Sequence, residues 1–423
     1  MEIKLKYGSS EISLNIADKN VAGVLTLPEQ AQPISGLAGA VRDALKNPIG
    51  TPPLAELLKA KNPKQVSIIV EDITRPNPDY TVWLGELVTE LKSAGVKSAK
   101  FIVAYGTHRA HKPEENHKLY GTLPQDFGEL VNHNCDDPSN LVSLGKLSTG
   151  NELKVNKTAA ESDFVILTGN IEPHSFAGYG GGRKAVLPGI SARETITVNH
   201  AKVTRDGVTI GNLKNNPIHE EMLEAAKMFA NNRTVFILNV IRNDKKQPVK
   251  VVAGDIEKAF DEGVRFAEKM YTVNVPEKVD AAIVSCGGYP KDLNLYQAQK
   301  SVTAASQVVR DGGTVILLAE CRDGAGQAIF ERWMAGQSVE KIILKKEHEI
   351  EVEGHRAFLS AKIINRMDVV VVSSMPAEKI EELKFCSTET LESAVAELTK
   401  KFGGNFKAYV IPNGAAIIPT VSK

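Results

Sequence analysis

The chain has little cysteine, no long apolar run and no excess of charge of either sign. No stretch approaches the ~18 consecutive apolar residues that a bilayer-spanning helix needs. The opening MEIKLKYGSSEISLNI alternates like a strand and lacks the apolar core of a signal peptide. The four cysteines (Cys135, Cys286, Cys321 and Cys386) stand far apart with no CxxC. That spacing fits neither a zinc site nor a disulfide framework, and free thiols suit a reducing compartment. The 51 basic residues cancel the 51 acidic ones, so no broad field draws in nucleic acid or an anionic membrane. Any anion must be bound by a local pocket. The expected setting is the cytoplasm, without a membrane or nucleic-acid partner.

What is present is ordinary globular material, 42% apolar and 24% charged, which argues against disorder. At 423 residues the chain exceeds the roughly 250–300 that one core supports. Two α/β domains with mainly parallel sheets are therefore expected. Val66–Val70 (VSIIV), Phe101–Tyr105 (FIVAY), Phe164–Thr168 (FVILT) and Val235–Val240 (VFILNV) read as buried strands. Between them lie helices over Thr81–Ala94 and Asp255–Lys269, the latter with Asp255 as N-cap. The alternation restarts with Asp280–Ser285, the helix Leu293–Arg310, Gly313–Ala319, Val369–Val372 and the helix Leu391–Phe402. Tyr271–Lys278, containing Pro276, is the expected linker. The first domain is thus placed at 1–270 and the second at 278–402, with the strand-like tail 406–423 packing back on the first. Open α/β sheets hold ligands at strand carboxyl ends, so the site is expected in the cleft between the domains.

Three strand-ending loops are rich in functional groups. EDITRPNP brings Glu71, Asp72, Thr74 and Arg75; GTHRAH brings Thr107, His108, Arg109 and His111; GNIEPHSFAGYGGGRK brings Glu172, His174, Arg183 and Lys184. On parallel neighbouring strands these loops meet at one sheet edge. Gly178, Gly180, Gly181 and Gly182 form either a tight turn or a cradle of N–H groups for an anion, and the adjacent Arg183 and Lys184 favour the anion or a cofactor. The segment is not a Walker A loop, since Ala185 follows Lys184, nor a dinucleotide GxGxxG. His108 and His174 are the acid/base candidates, because an imidazole titrates near pH ~6.5. Each alone reads more readily as a satisfied loop histidine, but two on converging loops can serve two faces of a substrate. His200, in the expected helix ARETITVNHAK, is either a metal ligand or a surface residue. It has no HxxxH or HxxE partner, so a metal there would take most donors from something other than nearby side chains. Gln297 and Lys300 share a helical face, with Lys291 in the preceding loop. That pattern is either a solvated face or, with Arg75, a carboxylate clamp.

Taken together, DITRPNP at 72–78, GTHRAH at 106–111, EPHSFAGYGGGRKAVLPG at 172–189, NH at 199–200 and YQAQK at 296–300 resemble the nickel-dependent lactate racemase family over nearly the whole chain. The resemblance implies two α/β domains and a nickel-pincer nucleotide tethered to Lys184. His200 would then supply the remaining nickel ligand, with Gly180, Gly181 and Gly182 against the cofactor. It implies His108 and His174 as the acid/base pair, and Arg75, Gln297 and Lys300 as substrate-binding groups. Asp72 would be a carboxylate that orients its neighbours. The implied reaction interconverts D- and L-lactate: a histidine takes the hydroxyl proton while the Cα hydride passes to the cofactor, leaving a bound 2-keto acid that is reduced on its other face. Cofactor-building enzymes are implied partners, and the chain could also exist without the cofactor. Family members acting on larger 2-hydroxy acids, such as malate, phenyllactate or sugar acids, keep the substrate open; Tyr296 and Phe358 are either size-setting or packing residues. A nicotinamide-dependent dehydrogenase and a non-catalytic carrier are the competing readings, the first weakened by the missing GxGxxG.

Overall fold

All five residues of Val66–Val70 are buried, as a β-branched strand covered on both faces must be. A computed structural model describes residues 1–28, 31–75 and 77–422, so Pro76 of the DITRPNP motif and Lys423 of the tail lie outside the described residues. The chain divides into two units. One comprises Gln30–Asn199 and Asn212–Met270; the other comprises Met1–Glu29, His200–Gly211 and Tyr271–Lys423.

The first unit is built on a six-stranded sheet in the order Pro248–Gly254, Thr234–Arg242, Phe164–Asn170, Val66–Val70, Ala99–Val103, Gly128–Asn132. All neighbours are parallel except the first pair. Phe164–Asn170, Val66–Val70 and Ala99–Val103 are adjacent, so the three loops singled out in the sequence leave one edge together. The helix Tyr80–Ser93 buries Trp83, Leu84, Leu87 and Leu91 in the same core as Ile68, Phe101 and Phe164. Asp255 does cap, accepting from the N–H groups of Glu257 and Lys258, although the helix proper runs Lys258–Tyr271.

The second unit carries a fully parallel six-stranded sheet, ordered Cys386–Thr388, Asp368–Val372, Val309–Leu318, Val279–Ser285, Ala408–Ile411, Val21–Val24. The N-terminal hairpin of Glu2–Tyr7 and Ser10–Asn15 adds Leu5 and Leu14 to its core.

The expected boundaries of 1–270 and 278–402 need correcting. Val21–Val24 pairs with Ala408–Ile411, which draws the N-terminal segment into the second unit. The tail belongs to the second unit, where Ile418–Val421 pairs with Thr272–Val275. The expected linker is therefore largely a strand. The helix expected over Leu293–Arg310 is shorter, Leu295–Ser306, because Asn294 caps it and Val309 already starts the next strand. All four cysteines are free thiols, three of them buried, and among the described residues no helix is long and apolar enough to cross a membrane.

Truncating a fully buried side chain removes contacts that neighbours refill only in part. Leu84→Ala should therefore cost about 2–5 kcal/mol, seen as a lower urea midpoint, whereas Leu344→Ala, at a position 77% exposed, should stay within about 0.5 kcal/mol.

Candidate active site

The loop after Val66–Val70 and the loop after Ala99–Val103 are joined by a carboxylate–imidazole pair. His108 Nδ1 lies 2.6 Å from Asp72 Oδ2, and the Thr74 hydroxyl donates to Asp72 Oδ1 at 2.6 Å. Burial alone would raise the Asp72 carboxyl; the hydrogen bond and charge of His108, helped by Thr74 and Arg75, outweigh it and hold the group below the ordinary carboxylate range. An ionised Asp72 can only accept, so it fixes Nδ1 as the donor and leaves Nε2 of the exposed imidazole to exchange protons. His111 and Arg109 brace this loop. His111 Nε2 accepts from the Ile73 N–H at 2.8 Å and its Nδ1 meets Asn116 Oδ1 at 2.8 Å, while Arg109 is paired with Glu115.

Behind this edge lies a polar lattice. Glu71 accepts from Asn77 Nδ2 at 2.7 Å, Asn170 Nδ2 at 2.8 Å and the Asn170 N–H at 3.1 Å. Arg242 donates to Asn170 Oδ1 at 2.9 Å and Asn77 Oδ1 at 3.0 Å, and is paired with Asp79. Burial raises the Glu71 carboxyl to about 7, against the opposing pull of Arg75 and the Asn170 N–H.

The segment 171–189 is organised by Arg183, which is fully buried. Its guanidinium donates to the carbonyls of Ala177 (2.8 Å), Tyr179 (2.8 Å) and Gly181 (3.3 Å) and to His219 Nδ1 (3.0 Å), and lies 4.3 Å over the Phe260 ring. Desolvation lowers it to about 9, and burial together with its charge pushes His219 down to about 3, keeping that imidazole a neutral acceptor. The expectation that Arg183 favours an anion is thus corrected: its donors are aimed at its own loop. The N–H groups of Gly180 and Gly182 are likewise taken, by the Glu172 carbonyl (2.8 Å) and Asn239 Oδ1 (3.0 Å), so these two glycines do not cradle an anion. Gly178 (φ +74°) and Gly182 (φ +49°) are there for the turn, since a Cβ would stand 2.4 Å from the Asn212 carbonyl and 2.8 Å from the Phe260 ring respectively.

Lys184 follows on this turn. It keeps some access to solvent, yet desolvation, then the charges of Arg75 and Arg183, push its ammonium well below the usual lysine range despite Glu172 and Glu71. The neutral amine is a nucleophile. His174, on the short hairpin of Pro173–His174 with Gly178–Tyr179, accepts the Ala177 N–H on Nδ1 at 3.3 Å and packs edge-on to Phe176. In both histidines the protein engages Nδ1.

The second unit carries the remaining candidates. Gln297 and Lys300 lie in the first turns of Leu295–Ser306, which is capped by the Asn294 side chain accepting from the Gln297 N–H at 3.0 Å. Lys291 Nζ donates to Asn413 Oδ1 at 3.0 Å. Tyr296 meets the Phe330 ring edge-on, and Phe358 is buried beneath the Lys362 ammonium. His200 is not the surface residue that one reading allowed: it is buried, with its ring edge-on to that of His355 at 5.7 Å. His355 and Arg356 escaped the sequence reading. The only available signal was an adjacent polar pair at the head of the apolar helix Gly354–Ile364.

Two outcomes follow from the electrostatics. Lys184 should react with an amine-acylating reagent at neutral pH ahead of the exposed lysines, read by peptide mass mapping; labelling no faster than the others would contradict a neutral amine. For Glu71 the folded carboxyl titrates higher than the unfolded one. The folded state therefore holds the extra proton between about 4.5 and 7, and the parent loses this contribution as pH rises. The Tm of Glu71→Gln relative to the parent should therefore climb across that window.

Comparison with known proteins identifies the family. The description of a lactate racemase N-terminal domain matches residues 7–211, and that of a lactate racemase C-terminal domain matches residues 275–419. The chain is 34% identical to a lactate racemase of Thermoanaerobacterium thermosaccharolyticum over 98% of both chains. It is 34% identical to one of Lactiplantibacillus plantarum over 98% of this chain and 99% of that one. The solved lactate racemase apoprotein of the former organism superposes with a TM-score of 0.89, at 33% identity and full coverage of both chains. A Thermotoga maritima protein at 17% identity (TM-score 0.65, covering 91% of this chain and 98% of that one) shares the fold. With both domain descriptions matched in order and relatives aligned end to end, the chain belongs to the lactate racemase family.

Proposed function

We propose that this isomerase racemises a 2-hydroxy acid, lactate being the substrate named for its relatives. The observation that carries the reading is the pair of histidines with protein-held Nδ1 atoms on loops that also carry a desolvated lysine amine. Inversion through a 2-keto acid needs a group on each side of the substrate to take or return the hydroxyl proton, and His108 and His174 supply one imidazole each. Asp72 holds His108 in register. Arg75, Gln297 and Lys300 bind the carboxylate, which fixes Cα while the hydroxyl proton moves.

The residues present fit the nickel-pincer nucleotide of the family. A neutral amine at Lys184 suits covalent attachment, and the buried imidazole of His200 suits nickel. Among the described residues no cluster of three or more His, Cys, Asp or Glu could hold a metal, so nickel at His200 needs donors from a bound group. That group, when bound, supplies the acceptor for the Cα hydride. The same reading gives the chain a cytoplasmic setting, a small hydroxy acid and cofactor-building enzymes as partners, and no nucleic-acid or membrane partner.

Intact-protein mass spectrometry with nickel analysis should show one nickel per chain and a mass increment that disappears in Lys184→Ala. In a chiral assay, His108→Asn and His174→Asn should lower kcat by about 10²–10⁴, and Asp72→Asn by about 10–100-fold. Racemisation surviving in both Lys184→Ala and His200→Ala, or reduction of added nicotinamide cofactor by metal-stripped protein, would sink the reading.

A further inference from the structure

Two other arginines of this chain, Arg183 and Arg242, are buried and fully engaged. Arg183 has three carbonyls and an imidazole; Arg242 has the Asp79 carboxylate, two asparagine oxygens and the Lys246 carbonyl. Arg356 is different. It is 7% exposed, its guanidinium carbon lies 4.6 Å over the Tyr296 ring, and its single polar contact is a long one, 3.4 Å from Nη1 to Gln299 Oε1. Its Nε has no partner, and among the described residues no carboxylate pairs with it. The Ser360 hydroxyl, one turn along on the same face of Gly354–Ile364, is also buried without a partner. A desolvated cation and a hydroxyl left in this way are unfavourable unless an anion meets them.

The location says which anion. Tyr296, on which Arg356 stacks, is four residues before Lys300 and hence on the same face of Leu295–Ser306, next to Gln297. On the other flank, Arg356 adjoins His355, whose ring packs edge-on to His200. By way of Tyr296 and His355, the incompletely paired guanidinium thus adjoins the helix and the imidazole to which the proposed function gives the substrate carboxylate and the metal. We infer that Arg356, with Ser360, binds a second anionic group of the substrate, which makes the preferred substrate a 2-hydroxy dicarboxylic acid of the malate type. This rests on the racemase reading. The planar fork of arginine suits a carboxylate bidentately, and a ring-stacked guanidinium is pre-positioned to do so. A methyl group at that place, as in lactate, leaves the buried charge without a counter-ion.

The test is racemisation of malate and of lactate by the cofactor-loaded full chain, with calorimetric binding of both acids alongside. The parent should show kcat/KM for malate about tenfold or more above that for lactate. Arg356→Gln should collapse this ratio about tenfold or more, chiefly through a higher KM for malate. A parent without preference for malate, or a ratio unmoved in Arg356→Gln, overturns the inference. Nickel content and the mass increment separate a second source of anion: if Arg356→Gln loses cofactor while the ratio holds, the guanidinium serves the cofactor and the inference fails. Should Arg356→Gln not fold, Arg356→Lys and Ser360→Ala decide, with a malate KM raised severalfold expected and no change overturning it. If the loaded parent racemises no hydroxy acid, the racemase reading itself fails. Binding of malate over lactate, abolished in Arg356→Gln or Arg356→Lys, then still decides the role of Arg356.

Discussion

A guanidinium shut away from water holds the central segment in shape. Arg183 is buried beside Phe260 and satisfied by three carbonyls of its own loop and one neutral imidazole. Those acceptors draw residues 177–181 around the side chain, and the next residue, Lys184, is carried into a place its ammonium would not choose. Two effects compound there: desolvation penalises the charged amine, and the fixed neighbouring cations Arg183 and Arg75 penalise it again. The turn therefore does chemical as well as structural work. It biases Lys184 toward the neutral, nucleophilic amine.

The same logic extends to the adjoining loops. Glu71 and Arg242 lie behind the working edge, joined through Asn77 and Asn170, so that the loops after Val66–Val70 and Phe164–Asn170 share one hydrogen-bonded lattice. Tyr120 ties in from the side by donating to the Glu71 carbonyl at 2.7 Å. Asp72 stands next to Glu71 in sequence and faces the opposite way, toward His108. Adjacent residues of an extended segment point to opposite sides. Here that alternation makes one carboxylate a brace and the other the orienter of the His108 imidazole.

The fold class was legible because β-branched runs buried on both faces leave few alternatives: Val66–Val70 emerged with its sequence-based limits intact. The adjacency of the three functional loops was legible too, since parallel strands release their loops at one edge. The assignment of the first and last segments was not. Val21–Val24 and Ala408–Ile411 are nearly four hundred positions apart, and their pairing is a long-range contact on which local patterning is silent. His200 shows the same limit. The sequence marked it as a candidate, yet only the fold reveals that it is buried with a second imidazole against it, from a helix more than 150 residues later.

Arginine makes the remaining gap concrete, because one residue type has three fates here. Arg109 is exposed and pairs with Glu115 of the following helix, where solvent screening leaves the pair little net weight. Arg183 is buried and complete, so substituting it would leave carbonyls without donors and the turn without its centre. Arg356 is buried and incomplete. Nothing in the local sequence separates the second case from the third: GGRKA and GHRAF both carry the arginine just after a glycine at the start of a helical element. What separates them is the number of oxygen and nitrogen acceptors that tertiary folding brings within reach. Counting acceptors around a buried cation therefore distinguishes a structural arginine from one held for a ligand, where composition and motif do not.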